Sequence, residues 1–299
     1  MHKDGLKIYD TEIKTYCTCM EMGGFSITFL KLDDELKQYY DAPCYSPYYA
    51  KGSVSGEAIE DDGEDEEIEF DENDVKPAEI VRSKEGELTE LNAEDTRNML
   101  LYIADKIIAN KPYLTEIDSA IGDGDHGINM NKGFTMTYCK VNGKDYDMTT
   151  AFSVLGDTLL EDIGGSMGPL YGAFFDGLSE ASEDHDVIDK KTFQKMIHTA
   201  LEAIQDIGNA KRGDKTLLDT LIPAVEAYDA ALEAGKDFKE ALSELKSAAE
   251  AGWKSTEDMV AKIGRASRLG ERSRGVLDAG ATSCYLILES LATSIQSIL

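Results

Sequence analysis

The chain has 299 residues, 42% of them hydrophobic, enough to build a core in one large domain or two ordinary ones. Its 30 Lys and Arg against 58 Asp and Glu leave a formal charge of −28, which argues against nucleic acid or an anionic membrane as partner. No stretch reaches the roughly 18 uncharged apolar residues of a membrane span, and the opening MHKDGLKIYD has no signal-peptide core, so the expected location is the cytoplasm.

The first elements expected are two strands, EIKTYCTCM and FSITFLKL, rich in β-branched and aromatic residues and joined by the turn EMGG. A short helix, DDELKQYYDAP, follows and stops at Pro43. Two strands and one helix are too little for an independent core, so this α+β segment reads as the end of something larger. The five cysteines, Cys17, Cys19, Cys44, Cys139 and Cys284, are odd in number and contain no C-x-x-C pair, which fits a reducing compartment and neither zinc nor a disulfide framework.

From Glu57 to Asp74 there are 12 acidic residues and no Lys or Arg, so this block alone carries −12 and leaves −16 elsewhere. Such a run repels itself and buries little; it reads as a solvated linker over residues 51–88.

Beyond it the texture is helical. LNAEDTRNMLLYIADKIIANKP offers an Asn92 cap, Glu94 and Asp95 in the first turn, apolar residues at Met99, Leu100, Ile103, Ile107 and Ile108, and a stop before Pro112. Further helices are expected near 127–140, 149–162, 168–181, 191–207, 215–233, 238–262 and 281–298, giving an all-α bundle of about eight helices. Between them lie polar, glycine-containing loops richer than helix connections require: DSAIGDGDHG, IGGSMGP, KRGDKT and GRASRLGERSRGVLDAGATS.

Gly122, Gly124 and Gly127 spell G-x-G-x-x-G, but no buried strand precedes them and no βαβ unit surrounds them, so a dinucleotide fold is disfavoured. An EF-hand loop fails because its ligand positions fall on Ala120 and Gly122, or on Phe134 in the alternative frame, and no Walker A loop is present. What remains is Asp118, Asp123 and Asp125 within one glycine-permitted turn. Carboxylates about 4 Å apart repel by roughly 4 kcal/mol at an effective dielectric of 20, a cost that a hard divalent cation removes. Three aspartates could hold two Mg²⁺ ions against nucleotide phosphates; the alternative is a solvated Asp-Gly turn. His126 and Asn129 open the next helix, whose N–H groups suit anionic oxygens, although a surface-facing polar His serves equally well.

GGSMGPLYG presents small residues to phosphate or the edge of a base, or else simply lets helices pack closely. Asp214 to Thr216 resemble a polar helix start, with Asp219 a turn further on, and capping explains Asp214. Arg265, Arg268, Arg272 and Arg274 sit in one glycine-rich loop of an acidic protein and suggest anion recognition, with surface salt bridging as the alternative. Asp278 in that loop either bonds a ribose or caps the last helix.

Taken together, IDSAIGDGDHGINMNKGF, GGSMGPLYG, GDKTLLDTL and GRASRLGERSRGVLDAGATS, in this order, resemble the nucleotide-binding L subunit or domain of the dihydroxyacetone kinase family over about residues 90–299. The resemblance implies an antiparallel eight-helix barrel that binds ADP or ATP at one end through two Mg²⁺ ions. It puts the metal ligands on Asp118, Asp123 and Asp125, and nucleotide contacts on His126, Asn129, the backbone of Gly165, Ser166, Met167 and Gly168, and Arg265, with Asp278 in the second motif. Two departures stand out: the family often has G-G-A-S-G at Gly164 to Gly168, and D-P-G-A at Asp278 to Ala281. Tyr16 to Pro43 resembles the C-terminal end of the same family's K part, so residues 1–50 are expected to be a partial K segment and the chain to lack most of K. The implied partners are the nucleotide and a K subunit whose histidine binds dihydroxyacetone covalently; a homodimer is left open. Two phosphoryl sources occur in the family, exchangeable ATP and a phosphotransferase-system subunit acting on retained ADP, and the K-like segment favours ATP. A catalytically incomplete interaction protein and a relative of the fatty-acid kinase nucleotide domain are the other readings.

Overall fold

The computed structural model describes residues 89–299 continuously, and before them residues 31, 33–41, 44–46, 49–51, 75 and 80. Contacts divide the chain into two units, Met1–Glu69 and Phe70–Leu299. In the first, Asp33 accepts from the Leu36 N–H at 2.8 Å and so starts helix α1, Asp34–Asp41. An antiparallel hairpin of β1, Cys44–Ser46, and β2, Tyr49–Lys51, follows, with Tyr45 opposite Ala50. The strands expected at EIKTYCTCM and FSITFLKL lie outside the described residues.

The second unit is helical: α2 Ala93–Ala109, α3 Lys111–Ile121, α4 His126–Val141, α5 Met148–Asp162, α6 Met167–Ser182, α7 Lys190–Ile207, α8 Leu218–Glu233, α9 Phe238–Ser255 and α10 Ala279–Ile298. Caps fix several of these starts. Asn92 and Asp95 form a reciprocal capping box on α2, Asp237 and Glu240 do the same on α9, and Asp147, Asp189 and Asp278 cap α5, α7 and α10. Inside the helices the apolar residues recur with helical spacing. On α7, Phe193, Met196, Ile197, Ala200 and Ile204 are all buried, each large side chain stabilising the fold by about 1.5–3 kcal/mol.

The helices close a ring. α2 packs on α4, α4 on α5, and so on in order to α10, which returns to α2. These eight form the barrel, and α3 is a ninth helix set against α4, α10 and α2. Phe134, Phe152, Phe175, Phe193 and Tyr228 fill the interior, with Phe134 and Phe175 edge to face at 6.2 Å and Phe193 and Tyr228 at 5.2 Å.

The first helix stops before Pro112 as expected, at Ala109, but an unexpected helix, α3, starts at once, with Pro112 in its first turn where its missing N–H costs nothing. One expected boundary is corrected. The helix expected over 238–262 stops at Ser255, and a 3₁₀ turn, Thr256–Asp258, leads into the glycine-rich loop.

Short connections force neighbouring helices to run antiparallel. Loops 122–125, 163–166, 208–217 and 256–278 therefore fall at one end of the barrel, and loops 142–147, 183–189 and 234–237 at the other. At that second end an isolated bridge ties Leu91 to Ile188 through two backbone hydrogen bonds, 3.0 and 2.8 Å. Among the described residues no helix is long and apolar enough to cross a membrane.

Candidate metal and anion site at one end of the barrel

Asp118 lies on the last turn of α3, and Asp123 and Asp125 on the loop that reverses into α4. Gly124 takes a left-handed φ of +76°, which lets the loop turn between the two aspartates. Gly127 brings the two helices together: a Cβ there would lie 2.3 Å from the Lys111 carbonyl oxygen and 2.6 Å from the Thr115 nitrogen. As a result, one carboxylate oxygen from each of Asp118, Asp123 and Asp125 lies within 4.8 Å of the others.

This convergence is electrostatically expensive. Burial first, and the Asp118 charge second, hold the Asp125 carboxyl above the ordinary aspartate range, while a hydrogen bond from the Asn129 side chain opposes them. The Asp118 carboxylate accepts from the His126 N–H at 3.3 Å. The Arg265 guanidinium touches Asp123 and lies 3.9 Å from Asp125. Three hard oxygen donors, no nitrogen or sulfur, and an exposed Asp123 make a donor set that fits a small hard divalent cation.

His126 is not the surface-facing histidine allowed by sequence. Its ring is buried, with Nε2 2.9 Å from the Ser283 hydroxyl, which is 2.6 Å from the Tyr171 hydroxyl; Tyr171 also donates to the Gly280 carbonyl at 3.1 Å. Burial holds the imidazole at about pKa 4, with Asp118 pulling the other way, so the ring is neutral at ordinary pH. This network joins the N-terminal parts of α4, α6 and α10. Asn129 sits one turn into α4, its own N–H donating to the Asp125 carbonyl at 2.9 Å.

Gly164, Gly165 and Ser166 are exposed, Gly165 at φ +75°, and Ser166 makes no side-chain hydrogen bond to the start of α6. Met167 packs against the core. Gly168 serves close packing: a Cβ would lie 2.6 Å from the Ile163 carbonyl oxygen. The close-packing alternative thus holds for the second half of this segment, while the first half is open backbone. Asp278 caps α10, accepting from the Ala281 N–H at 2.7 Å, and burial pushes its carboxyl up to about 6 against the pull of that bond and of Lys215.

Lys215 is the residue that sequence reasoning missed. It is 1% exposed, takes a left-handed φ of +63°, and donates to three carbonyls: Met259 at 3.2 Å, Ser273 at 2.6 Å and Val276 at 2.6 Å. Asp219, 2% exposed, shapes the turn before it by accepting from the Gly213 and Thr216 N–H groups. Asp214 accepts from the Lys211 N–H at 2.8 Å and pairs with Lys262 at 3.2 Å. Arg274 pairs with Glu271 at 3.2 Å and reaches the Asp258 carbonyl, so the salt-bridging alternative holds for that arginine.

Comparison with known proteins agrees with this architecture. Residues 120–293 match the model of the DAK2 domain, and residues 1–48 match the Dak1 domain. L-erythrulose kinase of Pectobacterium atrosepticum is 31% identical over 299 residues, 99% of this chain and 49% of that protein. The ADP-binding subunit DhaL of the PEP-dependent dihydroxyacetone kinase of Escherichia coli is 37% identical over 196 residues, 65% of this chain and 93% of that subunit. The chain thus spans about half the length of the erythrulose kinase it matches. Among solved structures, the dihydroxyacetone kinase of C. freundii in its native form aligns with a TM-score of 0.53 at 22% identity, over 72% of this chain and 37% of that one. Its complex with AMP-PNP and Mg²⁺ aligns with a TM-score of 0.52 at 19% identity, over 88% and 42%. At those identities the structures speak for the fold. With more than half its length matched by the DAK2 model, and a Dak1 match ahead of it, this chain belongs to the dihydroxyacetone kinase family.

Proposed function

We propose that residues 89–299 are an L-type module that binds Mg·ADP or Mg·ATP and passes a phosphoryl group to a short hydroxyketone held by a K part. Residues 1–50 would be K-type sequence and 51–88 the acidic linker. The observation that carries the reading is the convergence of Asp118, Asp123 and Asp125 at the barrel end that also holds the open Gly164–Ser166 backbone and Arg265.

Asp118, Asp123 and Asp125 would hold two Mg²⁺ ions, which when bound neutralise the phosphate charge through the transfer. The N–H groups of Gly165 to Gly168 at the start of α6 would meet phosphate oxygens. Arg265, already beside the carboxylates, would carry the remaining negative charge of the nucleotide. Asn129 steadies Asp125, and neutral His126 fixes the turn from beneath through Ser283 rather than exchanging a proton. Asp278 would set the floor of the site as the α10 cap. Nothing in this set is a general base, so these residues contribute by positioning and charge neutralisation.

ATP is the preferred phosphoryl donor in this reading, because the Dak1 match and the similarity to an erythrulose kinase, which runs over 99% of this chain and 49% of that protein, both favour a K–linker–L arrangement. The similarity to PEP-dependent ADP-binding subunits favours a second reading, in which ADP is retained and rephosphorylated; nucleotide that survives gel filtration would select it. The dihydroxyacetone and erythrulose kinases among the relatives make either hydroxyketone a candidate acceptor.

Isothermal titration with ADP and ATP, with and without Mg²⁺, is the test. Metal-dependent binding that Asp125→Ala abolishes supports the module, and addition of a complete K protein should then restore turnover to a chain inactive alone. Absence of binding to nucleotide-free protein would turn the assignment toward a non-catalytic interaction protein.

A further inference from the structure

We propose that Lys215 is a positioning residue whose buried ammonium clasps the arginine loop and thereby sets Arg265 over the aspartate cluster. The functional half of this inference rests on the nucleotide-site reading above; the structural half does not.

Loop 256–278 holds no α-helix, only the 3₁₀ turn Thr256–Asp258 and the 3₁₀ segment Arg265–Ser273, which is broken at Gly270. The loop's own hydrogen bonds, such as those from the Gly275 N–H to the Glu257 carbonyl at 2.7 Å and from the Asp278 N–H to the Thr256 hydroxyl at 3.1 Å, join its two ends, and Lys215 enters between them from another loop. The Lys215 acceptors straddle Arg265: Met259 precedes it, while Ser273 and Val276 follow it. One ammonium with three donors meets three carbonyls, so none of its hydrogen-bonding capacity is left over. Two further ties run between the same loops, from the Lys262 N–H to the Asp214 carbonyl at 3.1 Å and from Lys262 Nζ to the Asp214 carboxylate at 3.2 Å. Within the loop, the Ser273 hydroxyl accepts from the Ala261 N–H at 2.9 Å and closes the neck.

The cost of this placement argues for its purpose. Lys215 is held in a left-handed backbone conformation that non-glycine residues rarely adopt. Its charge is buried, and burial lowers its pKa against the attraction of Asp278 and Glu257. Capping α8 requires none of this, since Asp219 already shapes the turn. All three hydrogen bonds that the ammonium donates go to the two sides of the arginine loop.

The loop contains Arg265, Arg268, Arg272 and Arg274, so trypsin reports its release directly. In the full chain, Lys215→Met is expected to raise the initial rate of cleavage within 265–274 by about tenfold or more, because proteolysis follows the population of the open form. Cleavage no faster than in the wild type overturns the proposal, whatever the ligand. Circular dichroism establishes that the variant is folded. If Lys215→Met does not fold, Lys215→Arg takes its place: it keeps the charge but offers a planar fork that cannot satisfy the same three carbonyls, and faster cleavage is again required.

A double-mutant cycle for Mg·ADP affinity separates positioning from general destabilisation. Arg265→Ala and Lys215→Met should each weaken binding by about tenfold, and the double variant by no more than about threefold beyond either, since one acts through the other. Additive losses overturn the functional half. Wild-type protein that binds no nucleotide removes the site reading and this half with it, while the cleavage result still decides the clasp.

Discussion

Gly127→Ala is the sharpest single perturbation of the aspartate turn. The added methyl would lie 2.3 Å from the Lys111 carbonyl oxygen and 2.6 Å from the Thr115 nitrogen, with the Thr115 hydroxyl at 2.2 Å. The hydroxyl can rotate away, but the other two atoms are backbone, so α3 and α4 must part by about 1 Å to reach ordinary contact, at an overpacking cost of about 1–3 kcal/mol. For a domain of this size, 2 kcal/mol corresponds to about 4–8 °C in Tm. The same displacement carries Asp118 on α3 away from Asp123 and Asp125. Misplacement of about 1 Å costs up to roughly 10²-fold in a preorganised site, so Mg·ADP affinity should fall by about 10- to 100-fold. Thermal melts and calorimetric titration read both quantities. Gly143→Ala is the control: this glycine is left-handed, φ +72°, but nothing lies within 4 Å of its Cβ position, so the substitution strains only its own turn and should leave affinity unchanged. A Gly127→Ala protein with wild-type Tm and wild-type affinity would refute the account of how the three carboxylates are brought together.

Tyr171→Phe removes a buried hydroxyl bonded to Ser283 and Gly280 and should destabilise by about 1–2 kcal/mol in urea melts, with secondary structure unchanged. The buried His126, at about pKa 4 against about 6.5 unfolded, is a base that the folded state keeps neutral; its stabilising effect is present above about pH 6.5 and lost as pH falls toward 4, and His126→Gln should abolish that loss. Asp278 has the opposite sign: its folded pKa, about 6, exceeds the unfolded value of about 3.9, so its contribution is complete below about pH 4 and lost as pH rises through 6, a slope that Asp278→Asn should remove. Because the two windows overlap and oppose, the wild-type profile conceals both, and stability measured from pH 4 to 7 in each variant separates them.

Much of this molecule is legible in its sequence because the signals are local. Helical spacing of apolar residues located eight helices, and Asn92 with Asp95 marked the first of them. The aspartate cluster was readable because three like charges in one glycine turn need a cation, an argument that requires no partner from elsewhere in the chain. The stop before Pro112 was legible but α3 was not, because a proline that follows one helix and one that starts the next look alike when a single residue, Asn110, separates them. His126 was ambiguous because its burial depends on Ser283, 157 residues away. Lys215 left no local mark at all: a lysine in a polar loop looks solvated until the carbonyls 44 to 61 residues downstream fold around it.

The up-and-down course of the chain also fixes which parts can be altered safely. α4 has 16 residues, about 24 Å, and separates the aspartate turn from Gly143, whose Cβ position faces open space. A dye or small reporter inserted at that turn would ride on the rigid barrel wall and stay a helix length from the carboxylates, giving a label that follows assembly with another protein without altering the chemistry under study.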